Sequence, residues 1–80
     1  MQLMKVKVIV FGVAKDIIGG NELELEVGEP NNVAQLKQQL KKQFPGLPDC
    51  MIAVNAKYAN DEQVIKPKDE VALIPPTNGG

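Results

Sequence analysis

The sequence has no histidine, no arginine and no tryptophan, and only one cysteine, one tyrosine and two phenylalanines. Each shortage closes off some chemistry. With no His and a lone Cys50, the chain cannot assemble a His/Cys zinc site or a Ser/His or Cys/His nucleophile pair. A single cysteine also excludes an internal disulfide, and the expected metal content is none. Arg, the usual reader of base edges, is missing, and nine Lys stand scattered against ten acids for a net charge of −1. No basic track exists to follow a phosphate backbone, so no nucleic-acid partner is expected. Long apolar runs are absent as well. None approaches the roughly 18 residues that cross a bilayer, and Met1–Lys5 passes straight into a strand-like pattern, unlike a signal peptide. The expectation is a cytoplasmic protein with no membrane partner.

What is present suits one small domain. The composition is 44% hydrophobic and 24% charged over 80 residues. A domain of this size buries only about 60% of its unfolded surface, which leaves little depth for a catalytic cleft.

Met4 to Phe11 alternates at first and then becomes continuously apolar at Val8-Ile9-Val10-Phe11, the mark of a strand inside a sheet. Gly12 breaks it. Ala14, Ile17 and Ile18 have helical spacing, and Gly19-Gly20 closes a short helix. Glu22 to Val27 alternates strictly, giving a half-exposed strand with an acidic, solvated outer face; flat strand spacing does not converge carboxylates on a cation. Asn32 with Gln35 forms a capping-box pattern ahead of a helix that runs to about Phe44, with Val33, Leu36, Leu40 and Phe44 as its apolar stripe. Pro45-Gly46 ends it. Cys50 to Val54 reads as a third strand with Cys50 as a buried structural thiol sharing a face with Ile52 and Val54. Asn55-Ala56-Lys57 is a turn. Tyr58 opens a short return strand and is either an interface residue or a rim-of-core tyrosine. Val64-Ile65 reads as a tucked loop and Val71–Ile74 as a last interior strand. The main helix then packs across one face of the sheet in a two-layer α+β arrangement. The pattern does not reveal whether the two interior strands run parallel or antiparallel.

The last stretch, Pro75-Pro76-Thr77-Asn78-Gly79-Gly80, has nothing to bury. The diproline stops the strand, because proline lacks the N–H that a ladder needs. The reading divides the chain into a domain over 1–74 and a flexible tail over 75–80. Six extended residues reach roughly 20 Å. A narrow rod ending in two glycines and a carboxylate can be threaded into another protein's site, although small polar ends are also common by default.

The order of elements and several local motifs resemble the molybdopterin synthase small-subunit family of ubiquitin-like sulfur carriers. The motifs are Val10-Phe11-Gly12-Val13-Ala14-Lys15-Asp16-Ile17-Ile18-Gly19, the helix from Val33, Ala53-Val54-Asn55, Asp69-Glu70-Val71-Ala72, and Pro75–Gly80. The resemblance covers the whole chain and implies a β-grasp fold: a mixed sheet of four to five strands with one main helix packed across it. It implies that the Gly80 carboxylate is adenylated with ATP by a separate activating enzyme, itself ubiquitin-activating-like. It further implies that Gly80 becomes a thiocarboxylate and gives its sulfur to a cyclic pyranopterin inside a synthase large subunit, in molybdenum cofactor biosynthesis. Gly79 would present that group, and the chain would bind no cofactor and have no activity alone. Pro75, Pro76, Thr77 and Asn78 would line the threaded tail. Phe11, Tyr58 and Ile74 match docking positions, and Lys15 matches a basic position where the family more often has Arg, so a bidentate contact is lost. A sulfur carrier for thiamine, tRNA thiolation or cysteine formation, a ubiquitin-like protein modifier, and a structural domain with an inert tail are the alternatives.

Overall fold

The computed structural model describes residues 2–76. Nine elements follow one another: β1 (Gln2–Val10), α1 (Ala14–Ile18), β2 (Glu22–Glu29), β3 (Asn31–Asn32), α2 (Val33–Gln43), β4 (Met51–Val54), β5 (Lys57–Tyr58), β6 (Val64–Ile65) and β7 (Val71–Ile74). Five strands form one mixed sheet in the order β2-β1-β7-β4-β5, and β3 pairs with β6 in a separate ribbon.

The two continuously apolar strands are central neighbours. They pair in parallel, with Val8 opposite Val71 and Val10 opposite Leu73. On β1 the even positions Met4, Val6, Val8 and Val10 are buried, as are Leu25 and Val27 of β2 and Val71 and Leu73 of β7. The helix α2 covers this face with Val33, Leu36 and Leu40, all fully buried, while Phe44 packs at the margin. The capping box at its start is complete: Asn32 Oδ1 accepts from the Gln35 N–H and Gln35 Oε1 accepts from the Asn32 N–H, each at 2.9 Å. Two orphan donors are thereby satisfied. Gly19 closes α1 in the left-handed region at φ +94°.

The acidic face of β2 lies at the sheet's edge. Its register puts Lys7 opposite Glu24 and Lys5 opposite Glu26, and Lys7 reaches Glu22 at 3.1 Å. Such exposed pairs contribute little to stability, but the charged edge discourages further strand pairing.

Three expectations need correction. Val64-Ile65 is a short strand, not a loop: Ile65 pairs with Asn31, and both are buried. Cys50 lies just before β4 rather than in it, and is half-buried. The first strand runs from Gln2 to Val10, leaving Phe11 past its end.

The turn between β4 and β5 is under strain. Asn55 and Ala56 both have positive φ, +53° and +69°. Asn tolerates this region, whereas Ala does so at a cost of about 1–2 kcal/mol. A set of hydrogen bonds opposes the strain. The Asn55 N–H donates to Glu70 O (2.7 Å). Asn55 Oδ1 accepts from the Glu70 N–H (2.9 Å), and Asn55 Nδ2 donates to Asp69 Oδ1 (3.0 Å). Asp69 Oδ2 accepts from the Lys66 N–H at 2.8 Å. The Lys66 N–H, and then the Asn55 amide, hold the Asp69 carboxyl below its ordinary value of 3.8. A carboxylate with a depressed folded pKa stabilises fully above its unfolded value and loses that contribution as pH falls through the folded one. The stability advantage of the wild type over Asp69→Ala is therefore constant above about pH 5 and narrows below it. Urea midpoints for both proteins across the acid range measure this; a gap that stays constant into strong acid contradicts it.

Candidate functional site

Alternation along each strand assigns the sheet's second face, the one α2 does not cover. The registers align one row across it: Ile9 beside Ala72, Ala72 beside Ala53, Ala53 beside Tyr58. A second row sets Ile74 beside Met51. Phe11 extends the β1 alternation two residues past Ile9, and its N–H still donates to Leu73 O at 3.2 Å. Met51 is 53% exposed, Phe11 47% and Tyr58 66%. These large apolar side chains line a face where Ile9, Ala72 and Ile74 are half-buried, so a contiguous apolar surface faces outward. Toward β2 it gives way to Lys5, Lys7, Glu22, Glu24 and Glu26.

This surface adjoins the point where β7 hands the chain to Pro75 and Pro76. Pro75 is buried and Pro76 exposed. The Pro75 ring rests on Gly12: a Cβ added to Gly12 would meet Pro75 Cγ at 3.0 Å, and Gly12 itself has φ +60°. Glycine is needed here twice over, for its backbone angle and for the room it leaves. The ring therefore has a seat, and that seat aims the chain beyond it.

Of the residues expected to dock, Phe11, Tyr58 and Ile74 come together on the open face. Lys15 is exposed on α1, off the sheet. Thr77, Asn78, Gly79 and Gly80 lie outside the described residues. The expected set omitted Met51, Ile9, Ala53 and Ala72. Their assignment to the open face was implicit in the alternation of the core-facing Val8 and Val10, Ile52 and Val54, and Val71 and Leu73.

Cys50 offers no sulfur nucleophile. Its Sγ donates to Pro48 O at 3.2 Å, and burial, then the nearby Asp49 carboxylate, push the thiol up from its ordinary value. At neutral pH it stays protonated, and the thiolate is the reactive form.

A mixed β-grasp sheet with one crossing helix, an apolar open face and a proline-anchored exit strand together define a ubiquitin-like β-grasp protein. The chain belongs to the ThiS family, which matches residues 8–80. It is 34% identical to a molybdopterin synthase sulfur carrier subunit of Chlamydomonas reinhardtii, over 96% of this chain and all of that one. Its fold is similar to that of a protein described as molybdopterin converting factor subunit 1 from Pyrococcus furiosus, with a TM-score of 0.80 at 30% identity, covering 92% of this chain and 99% of the other. It is also similar to a chain in the complex of subunits 1 and 2 of molybdopterin-converting factor from Helicobacter pylori, with a TM-score of 0.60 at 28% identity, covering 96% and 100%.

The Gly12 seat can be separated from backbone strain by a control. Gly19 also has positive φ, but nothing lies within 4 Å of its added Cβ. Both Gly19→Ala and Gly12→Ala should cost about 1–2 kcal/mol for φ alone, or roughly 4–15 °C in Tm. Gly12→Ala should lose more, and Pro75→Ala should remove the excess, a non-additivity read by a double-mutant cycle. Equal losses at the two glycines would show that Pro75 does not seat on Gly12.

Proposed function

We propose that this chain is the cytoplasmic sulfur-carrier subunit of a molybdopterin synthase, acting through the carboxylate of Gly80. The observation that carries the reading is the apolar open face of Phe11, Met51, Tyr58 and Ile74, which lies at the point where Pro75 directs the chain into its Gly-Gly segment. The near-full-length similarity to proteins named as sulfur carrier subunits supports it.

The chemistry follows from the group being presented. A terminal carboxyl has a pKa near 3.5, so at neutral pH it is an anion and a poor acyl donor. Attack of a carboxylate oxygen on the α-phosphorus of ATP, with loss of pyrophosphate, makes an acyl-adenylate. A sulfur donor displaces AMP from that carbonyl and leaves a thiocarboxylate. The first step requires close approach to a carboxylate oxygen and the second to the carbonyl carbon, and glycines at 79 and 80 put no side chain in the way of either. The partners implied are an adenylating enzyme for the first step and the synthase large subunit for transfer to the pyranopterin.

The division of labour matches the side chains available. The domain supplies orientation and a docking surface, and burial keeps its one thiol in the protonated form. The apolar face has the character of an interface core, with a charged rim toward β2. Among the described residues no helix is long and apolar enough to cross a membrane.

Two experiments test the reading. Intact-mass analysis after incubation with ATP, an activating enzyme and a sulfur donor should show one tail oxygen replaced by sulfur, and removal of Gly80 should abolish the change. An unaltered mass with a partner that is active on another carrier sinks the proposal. Separately, Tyr58→Ala and Met51→Asp should each weaken association with the large subunit by about tenfold or more, as loss of a central interface contact does, with Tm little changed because both side chains are exposed. Titration calorimetry reads this, and wild-type affinity in both variants would remove the open face from the interface.

A further inference from the structure

Two sequence motifs remain without a role in the chemistry above: Asn55, at the end of Ala53-Val54-Asn55, and Asp69-Glu70, ahead of the last strand. The structure joins them. The Asn55 side chain spans both residues, accepting from the Glu70 N–H and donating to the Asp69 carboxylate, while its own N–H donates to Glu70 O.

The joint sits under a strained turn that sets the position of one docking residue. Asn55 and Ala56 are the only residues between β4 and β5, and both are left-handed. This turn fixes the register Val54 to Lys57 and Ala53 to Tyr58. Among the described residues β5 is an edge strand of two residues whose only sheet neighbour is β4. It has little else to define its register beyond the bond from Ala59 N–H to Ile52 O at 2.9 Å. Ala56 favours leaving its left-handed conformation. If it does, the hairpin slips, and a slip of one residue turns every β5 side chain to the opposite face. Tyr58 then leaves the row it shares with Ala53, Ala72 and Ile9.

We propose that Asn55, clamped to Asp69 and Glu70, is a positioning residue that fixes the β4–β5 register and so holds Tyr58 on the docking face. It acts through Tyr58, and the inference rests on the reading that the open face docks on the synthase large subunit.

The pair can be swapped. Asn55→Asp retains an acceptor for the Glu70 N–H but sets a carboxylate against that of Asp69 at hydrogen-bond distance. Asp69→Asn then restores a donor on the other side and keeps an acceptor for the Lys66 N–H. Affinity for the large subunit should fall about tenfold in Asn55→Asp and return to within about twofold of wild type in the Asn55→Asp/Asp69→Asn double variant. Turnover at saturating large subunit should be unchanged throughout. Adding Tyr58→Ala to Asn55→Asp should weaken binding little further. A general loss of stability would not give this pattern of rescue and non-additivity.

A second readout needs no partner. Tyr58 is the only tyrosine, so nuclear Overhauser contacts from its ring to the Ala53 methyl report the register directly. They should be present in the wild type, lost in Asn55→Asp and regained in the double variant. Contacts that persist in Asn55→Asp overturn the positioning role whatever the binding data show. If the wild type gives the contacts but does not bind the large subunit, the docking reading fails while the register assignment stands. Additive effects of Asn55→Asp and Tyr58→Ala on binding also overturn the inference.

Discussion

The rest of the structure depends on the parallel ladder between β1 and β7. It joins residues some sixty positions apart, Val8 with Val71 and Val10 with Leu73, and a contact of that range carries a loop-closure cost before it returns anything. The return is large because both strands are apolar on the core face, with Val8, Val10, Val71 and Leu73 all at or below 1% exposure. Once the ladder forms, its consequences are local. It sets Phe11 and Gly12 beside Ile74 and Pro75, so the loop leaving the first strand becomes the seat for the chain leaving the last.

That seat gives the chain a fixed point as it leaves the central strand β7. Pro75 is buried on Gly12, and its ring fixes φ, so direction is set one residue after the strand ends. The domain boundary implied by composition, at 74/75, marks where the ladder stops rather than where packing stops.

The elements were legible in the sequence where a period was strong. The strict alternation of β2, the Asn32–Gln35 capping box and the Val33-Leu36-Leu40 stripe each specify their structure locally. Other features have no such signature. The sense of the β1–β7 pair is hidden because strands apolar on both faces carry no mark of direction. A ribbon of two-residue strands such as β3 and β6 has no period to read, so the burial of Asn31 and Ile65 depends on tertiary context. Ala56 contradicts its own backbone preference; the two-residue hairpin demands its positive φ, and the Asn55–Asp69–Glu70 joint beside it bridges residues too distant for local reasoning. The open face was legible in part. Phe11, Tyr58 and Ile74 were marked by the family resemblance, whereas Met51 looks like any strand residue until the alternation of Ile52 and Val54 assigns it outward.

A carrier that hands its terminus to other proteins has to separate recognition from reaction. On the proposed reading the separation is chemical. Recognition then belongs to a face built on paired strands, where register sets which apolar side chains point outward. Reaction, on the same reading, belongs to the Gly80 carboxylate, an anion at neutral pH and a poor acyl donor until it is activated. The one thiol donates to Pro48 O, and burial and Asp49 favour its protonated form. On that reading a reactive imidazole or thiolate on the domain would offer an activated tail an unwanted nucleophile, and the sequence holds no histidine and a single thiol that burial keeps protonated.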